Sequence, residues 1–292
     1  MLCRWDTRIE DINLFIGQLK SLVKRFVRYK KKGRGTNPKR SVSSYISLVI
    51  IKEYDKKSLR GAEARLSRLI CKERVDHSVI SYWENKEDVL LAIQRIIGIA
   101  GSILDRLLSR LFSFVDSTKF VNWHIEETEI FVCNRIADKT VYPIEISFLR
   151  KTVASPVNEA VPNGSGNLYA DAWFDDNDTM GVLFSKGYTP IICPNKNRWR
   201  GYYRKKARKL YRMFKNRLGY RQRGRGESLF GSLTDAYGDR LKAINSIAMK
   251  VRIASRMLTY QIKLLLRATL KILSIVRHAQ YLEKYLKIII VW

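Results

Sequence analysis

Three acidic residues stand where carboxylates could act together. Asp116 closes the run Phe114-Val115-Asp116, Asp171 closes Leu168-Tyr169-Ala170-Asp171, and Glu227 opens Glu227-Ser228-Leu229-Phe230-Gly231. The first two each follow a short apolar run of strand character, so neighbouring strands would set their carboxylates side by side. Such a pair repels itself and is costly unless a divalent cation lies between. With Glu227 added, the set has enough hard oxygen ligands for two magnesium or manganese ions that keep some of their waters, an arrangement suited to phosphodiester chemistry. Glu126 and Glu127 compete for the first role and rank second, because they fall inside an alternating strand pattern from Ile125 to Val132. Asp175, Asp176 and Asp178 read as cap and surface groups of the next helix. Each candidate also has a structural reading: Asp116 with Ser117 and Thr118 suits an Asx-type turn, and Glu227 suits a helix's first turn, where the dipole favours an acid.

These carboxylates sit in a basic chain. Its 292 residues carry 55 Lys+Arg against 27 Asp+Glu, a formal net charge of +28. The excess is clustered, which implies a polyanionic partner rather than a solubilising surface. No acid occurs between Asn13 and Lys52 or between Thr179 and Gly226. The second stretch interleaves Arg204, Lys205, Lys206, Arg223 and Arg225 with Tyr202, Tyr203, Tyr211 and Tyr220, a mixture in which cations meet phosphates and rings stack on bases. The segment from Arg198 to Arg225, with Trp199 and with Arg204, Lys205 and Lys206 as its test positions, is the expected main non-specific DNA track.

A hydrophobic content of 46% is enough for real cores and argues against global disorder. Cys3, Cys71, Cys133 and Cys193 are far apart and show no zinc-ligand spacing with the three histidines. No apolar run resembles a signal peptide, and Lys263, Arg267, Lys271 and Arg277 interrupt the C-terminal apolar runs before they could span a bilayer. The expectation is a cytoplasmic, nucleoid-associated protein with no membrane partner.

The elements that must hold the acids follow from periodicity. Residues 1–40 read as an amphipathic helix running into a basic linker. Residues 41–110 are helical throughout, with Ser58 and Asp76 as N-caps. The helix ending near Ile70, the turn after it and the short helix opening at Asp76 fit a helix-turn-helix, whose Ser78 and Ser81 would face the major groove. Strand patterns then occupy 111–115, 125–132, 141–148, 168–170 and 190–193, and helices resume near Lys205 with a break from Gly219 to Gly226. This order predicts an α/β fold: a mixed sheet with flanking helices, preceded by an all-helical N-terminal region.

The motifs resemble the DDE transposases of prokaryotic insertion sequences. The resemblance rests on Val115-Asp116-Ser117-Thr118, on Tyr169-Ala170-Asp171-Ala172-Trp173-Phe174-Asp175 with Gly187-Tyr188-Thr189-Pro190-Ile191-Ile192, and on the spacing of Tyr220, Arg223 and Glu227. It covers roughly Leu111 to Leu265. Thr234 stands where the last signature normally ends in Lys, with Arg240 or Lys242 as substitutes.

The resemblance implies a ribonuclease-H-like catalytic domain over 111–265, a helix-turn-helix DNA-binding region over 41–110 and a terminal helix over 266–292. It implies Asp116, Asp171 and Glu227 as metal ligands, and Tyr220, Arg223 and Arg225 beside the DNA. The implied activity is metal-dependent cleavage of double-stranded DNA at element ends and transfer of the freed 3′-hydroxyl into target DNA, a reaction that leaves room for a homodimer. The alternatives are a decayed or repurposed DNA-binding protein and a metal-dependent nuclease that cuts without joining.

Overall fold

The computed structural model describes residues 12–27, 38–108, 110, 112–124, 126–137, 140–148, 152–196, 200–216, 218–238, 240–243 and 245–290. Part of the basic linker lies outside these residues, as do Arg198 and Trp199.

The sheet is built around β1 (Phe112–Asn122), which pairs antiparallel with β2 (Glu127–Ala137), itself antiparallel to β3 (Thr140–Phe148). On its other side β1 runs parallel to β4 (Gly166–Ala170), and β4 runs parallel to β5 (Tyr188–Ile192). The order is therefore β3-β2-β1-β4-β5, with a two-residue strand, β6 (Arg240–Leu241), joining β1 near its far end. This is the mixed sheet of a ribonuclease-H-like fold. Side chains alternate across it with the period of a strand. Phe114 joins a core containing α6 (Glu87–Leu107) and α12 (Ser246–Ile290), whereas Val115 joins a second core beneath α7 (Ala154–Ala160) and α8 (Asn177–Ser185).

The N-terminal helices are α1 (Ile12–Phe26), α2 (Val42–Tyr54), a helical stretch in which α3 (Leu59–Gly61) passes through a π-turn into α4 (Ser67–Cys71), and α5 (His77–Glu84). Ser58 and Asp76 cap as expected, accepting the backbone N–H groups of Gly61 and Ser78. A turn with left-handed Lys72 separates α4 from α5.

The positions of two expected boundaries fall within continuous structure. Position 265/266 lies inside α12, a single helix of 45 residues. Near residue 110 the secondary structure changes but the core does not, because α2, α6, α12 and the strands contribute to one apolar cluster. From Ala248 to Leu266 α12 is buried nearly all round, and it bolts the regions together. Gln261 donates to the carbonyls of Ile97 and Pro143, and Tyr260 donates to Val141. An ionic network adds to this: Arg252 grips Glu84, Arg256 reaches Glu53 at 3.0 Å, and the fully buried Lys52 lies 2.6 Å from Glu53 and 2.9 Å from Glu84. Among the described residues no helix is long and apolar enough to cross a membrane.

Candidate active site

The β1–β4 register places Ser113 opposite Leu168 and Phe114 opposite Tyr169. Two residues further on, Asp116 and Asp171 stand at one level, where β4 has just ended. Asp116 does not follow its strand, as the apolar run suggested. It lies within β1, which continues to Asn122 because β2 pairs along its length, with Asp116 opposite Val132. On the other side β1 regains a partner only at Val121, where β6 begins. Asp116 thus opens a stretch of β1 that has lost β4 and not yet met β6.

The third carboxylate arrives on α11 (Arg225–Tyr237), whose first turn carries Glu227. A glycine permits the approach: a Cβ on Gly226 would lie 2.5 Å from a Phe114 ring carbon and 3.0 Å from Oδ2 of Asp116. The helix start therefore rests directly on β1 beside Asp116. The electrostatics agree. The Asp116 carboxyl is pushed up to about 6, first by burial and then by the charges of Asp171 and Glu227, while the Ser117 N–H and Arg223 act in the opposite direction. Three acids and one guanidinium share a common field.

Oδ1 of Asp116 accepts the Ser117 N–H at 2.9 Å, and Oδ1 of Asp171 accepts the Trp173 N–H at 2.9 Å. Among the described residues the second oxygen of each, and both oxygens of the exposed Glu227, have no protein donor. Carboxylates held at one edge and left open at the other suit a hard divalent cation. The triad is nevertheless spread out. Among the described residues, only Glu63, Asp76 and His77 bring three ligand atoms within 4.8 Å of one another. That set is already satisfied: Arg74 and His77 hold Glu63, and Asp76 caps α5.

The rivals of Asp116 lie elsewhere. Glu127 faces Val121 and pairs with Lys119 at 2.7 Å, and Glu126 accepts from Asn122 in the hairpin. Asp176 caps α8 as expected, but Asp175 is not a surface group. It is fully buried, accepting the Asn195 N–H and pairing with Arg204 at 3.3 Å. Arg204 is thereby turned inward, and it also donates to the Asp175 carbonyl. Of the three expected track residues on α9 (Tyr202–Phe214), Lys205 and Lys206 are the exposed ones, Lys206 lying over the Phe184 ring.

Tyr220 on α10 (Leu218–Arg221) packs among Tyr169 and Tyr211, and burial, Cys193 and Tyr211 push its hydroxyl well above the usual range. Its ring thus helps seat the segment leading into Glu227. Arg225 is half-buried at the start of α11. Thr234 folds back on its own helix, donating to the carbonyls of Phe230 and Gly231. Arg240 sits opposite Val121, five residues along β1 from Asp116. Ser78 is exposed, and Ser81 is half-buried against Asn85. Sequence reasoning missed Gly226. Its signal was a glycine next to a proposed ligand at a helix start, and it was absorbed into the Gly219–Gly226 break.

Residues 150–262 match the family model of the transposase DDE domain, a range that holds Asp171 and Glu227 and begins after Asp116. No curated protein matches the chain.

Proposed function

Residues 150–262 match the transposase DDE domain, and from that premise we propose that the chain is a DDE transposase, cutting DNA strands and joining them at a site made by Asp116, Asp171 and Glu227. The observation that supports the reading is the setting of Asp116: its carboxyl, buried within a strand, is raised first by that burial and then by the charges of Asp171, just after β4, and Glu227, in the first turn of α11. Fold stability alone gives no reason to collect like charges there.

Asp116, Asp171 and Glu227 would hold two magnesium or manganese ions. Such ions lower the pKa of bound water and stabilise charge on a phosphodiester in flight. The protein's own residues position the reaction. Asp116 is fixed by β1 and the Ser117 N–H, Asp171 by the turn it caps, and Glu227 by the seating of Gly226. Arg223, whose charge reaches Asp116, would face the phosphate and offset the negative charge gathering there. Lys205, Lys206 and Arg225 would carry the flanking double-stranded DNA, and Ser78 and Ser81 on α5 would read the element ends. Two ends cut and joined together suit a homodimer.

The test is a strand-transfer assay with Asp171→Ala beside Asp171→Asn, which keeps an oxygen for the Trp173 N–H. Both variants should bind DNA within about twofold of the unaltered protein and lose magnesium-dependent cleavage by at least 10³-fold, the order expected for a positioned electrostatic element. Unchanged cleavage would remove the triad from the mechanism. Cleavage without joining by the unaltered protein would make it a nuclease, and binding without cleavage a DNA-binding protein.

A further inference from the structure

A second cationic feature lies at the other end of β1. A cavity of about 510 Å³ opens between the turn before α3, β6 with its flanks, and α12. Its floor holds Arg252 and Arg256, both already paired with Glu84 and Glu53. Its rim holds Lys56, Lys57, Arg60, Arg240 and Lys242, and none of these five has an ion-pair partner among the described residues. The rim comes from two segments far apart in sequence that the fold brings together, against the repulsion of like charges. Beside it, sharing Arg240, is a second hollow of about 460 Å³ lined by Val121, Asn122 and Trp123. Trp123 is 62% exposed at the β1–β2 hairpin, and the Lys242 ammonium lies 5.0 Å from the centre of its ring.

We infer that this cleft is a second DNA-binding site, in which the Lys56, Lys57, Arg60, Arg240 and Lys242 side chains hold backbone phosphates and Trp123 offers its ring face to a base. The inference rests on the transposase reading but concerns residues outside the triad and outside the α9 track. Concave walls focus the field of the uncompensated cations, which favours a polyanion over scattered surface contacts. An exposed indole beside them supplies the stacking half of single-strand recognition. The separation suits one nucleic acid spanning both sites. From Asp116 to Val121, opposite Arg240, is five strand residues, about 17 Å. That is roughly five base steps at ~3.4 Å per step. A duplex whose scissile phosphate lies at the triad would place its flank in the cleft, and a flared or single-stranded flank would meet Trp123.

The test uses the full chain carrying Asp171→Ala, so that binding is measured without turnover, against a labelled duplex of about 30 base pairs with and without a single-stranded flank, across a salt series. Joint Lys56→Ala, Lys57→Ala and Arg60→Ala should lower the log–log salt slope by two to three and weaken binding at least tenfold at about 0.15 M salt. Trp123→Ala should weaken only the flanked substrate, by about five- to tenfold, and Trp123→Phe should restore most of that loss. An unchanged slope in a DNA-binding protein would overturn the cleft and leave the triad standing. Failure of the unaltered protein to bind DNA would overturn both. Binding of dAMP that competes with duplex and is lost in the triple variant would assign the cavity to a small phosphate ligand instead, and would also overturn the inference.

Discussion

Gly226 is where packing and the proposed catalysis make the same demand, so Gly226→Ala separates them from simple helix preference. The new methyl would sit 2.5 Å from a Phe114 ring carbon and 3.0 Å from Asp116 Oδ2. Ordinary carbon contacts lie at about 3.5–4.0 Å, so α11 or the Phe114 ring must move by about 1 Å. Phe114 is buried in the main core, which leaves the helix start as the mobile partner. Alanine favours the helix by about 1 kcal/mol, whereas overpacking a core costs about 1–3 kcal/mol. The overpacking should win, and Tm should fall by a few degrees. The catalytic effect should be larger, because misplacing a group by about 1 Å can cost about 10²-fold in rate. Gly231→Ala on the same helix is the control: nothing lies within 4 Å of its new methyl, so it should raise Tm and leave cleavage unchanged. Thermal melting with magnesium-dependent strand cleavage on one DNA substrate reads both. If Gly226→Ala melts no lower than the unaltered protein and cleaves as fast, α11 does not rest on β1 as described, and the placement of Glu227 falls with it.

Two further outcomes follow from charge. Because the fold raises the Asp116 carboxyl from 3.8 to about 6, its contribution to stability is complete below about 3.8 and is lost as pH rises through 6, with roughly 3 kcal/mol as the upper limit of that loss. In chelator, Asp116→Asn should therefore melt above the unaltered protein near pH 8, with the gap closing as pH falls through 6. Magnesium should raise Tm for the unaltered protein alone, and a pH-independent gap would refute the burial of this charge. On α9, Lys205→Ala with Lys206→Ala should lower the salt slope of DNA binding by about two with little change in Tm. Arg204→Ala should destabilise by about 3–5 kcal/mol by leaving Asp175 buried and unpaired. Equal effects on the slope from all three positions would show that Arg204 faces DNA after all.

What could be read in the sequence was local. The caps at Ser58 and Asp76 and the succession of strand and helix patterns along the chain are set by short-range chemistry: a side-chain oxygen for a helix N–H, an apolar run with its period. The full length of β1 was hidden because Asp116, Ser117, Thr118 and Lys119 break the alternation that marks a strand. They stay extended because β2 supplies a ladder opposite each of them. The burial of Asp175 was hidden for a related reason. Its partner Arg204 is 29 positions away, and an acid among Asp175, Asp176 and Asp178 looks like a cap until the fold shows which of them has an arginine behind it.

The basic composition was legible as a sum but not as a distribution. Arg204, Arg252 and Arg256 spend their charge inside the fold, the first fastening α9 to the loop after β4 and the other two tying α12 to α2 and α5. Desolvating these groups is tolerable only because each meets a carboxylate in the low-dielectric interior. The acids thus divide into two kinds. Glu53, Glu84 and Asp175 are buried with cations beside them, and the Glu53 carboxyl is held below the usual range despite its burial, by Lys52, Arg256 and Arg252. Asp116 is buried with other acids beside it, and its carboxyl is raised. One pattern is how a fold neutralises charge internally. The other leaves charge uncompensated, and that difference, rather than the number of acids in the motif, is the reason for proposing Asp116, Asp171 and Glu227 as a site.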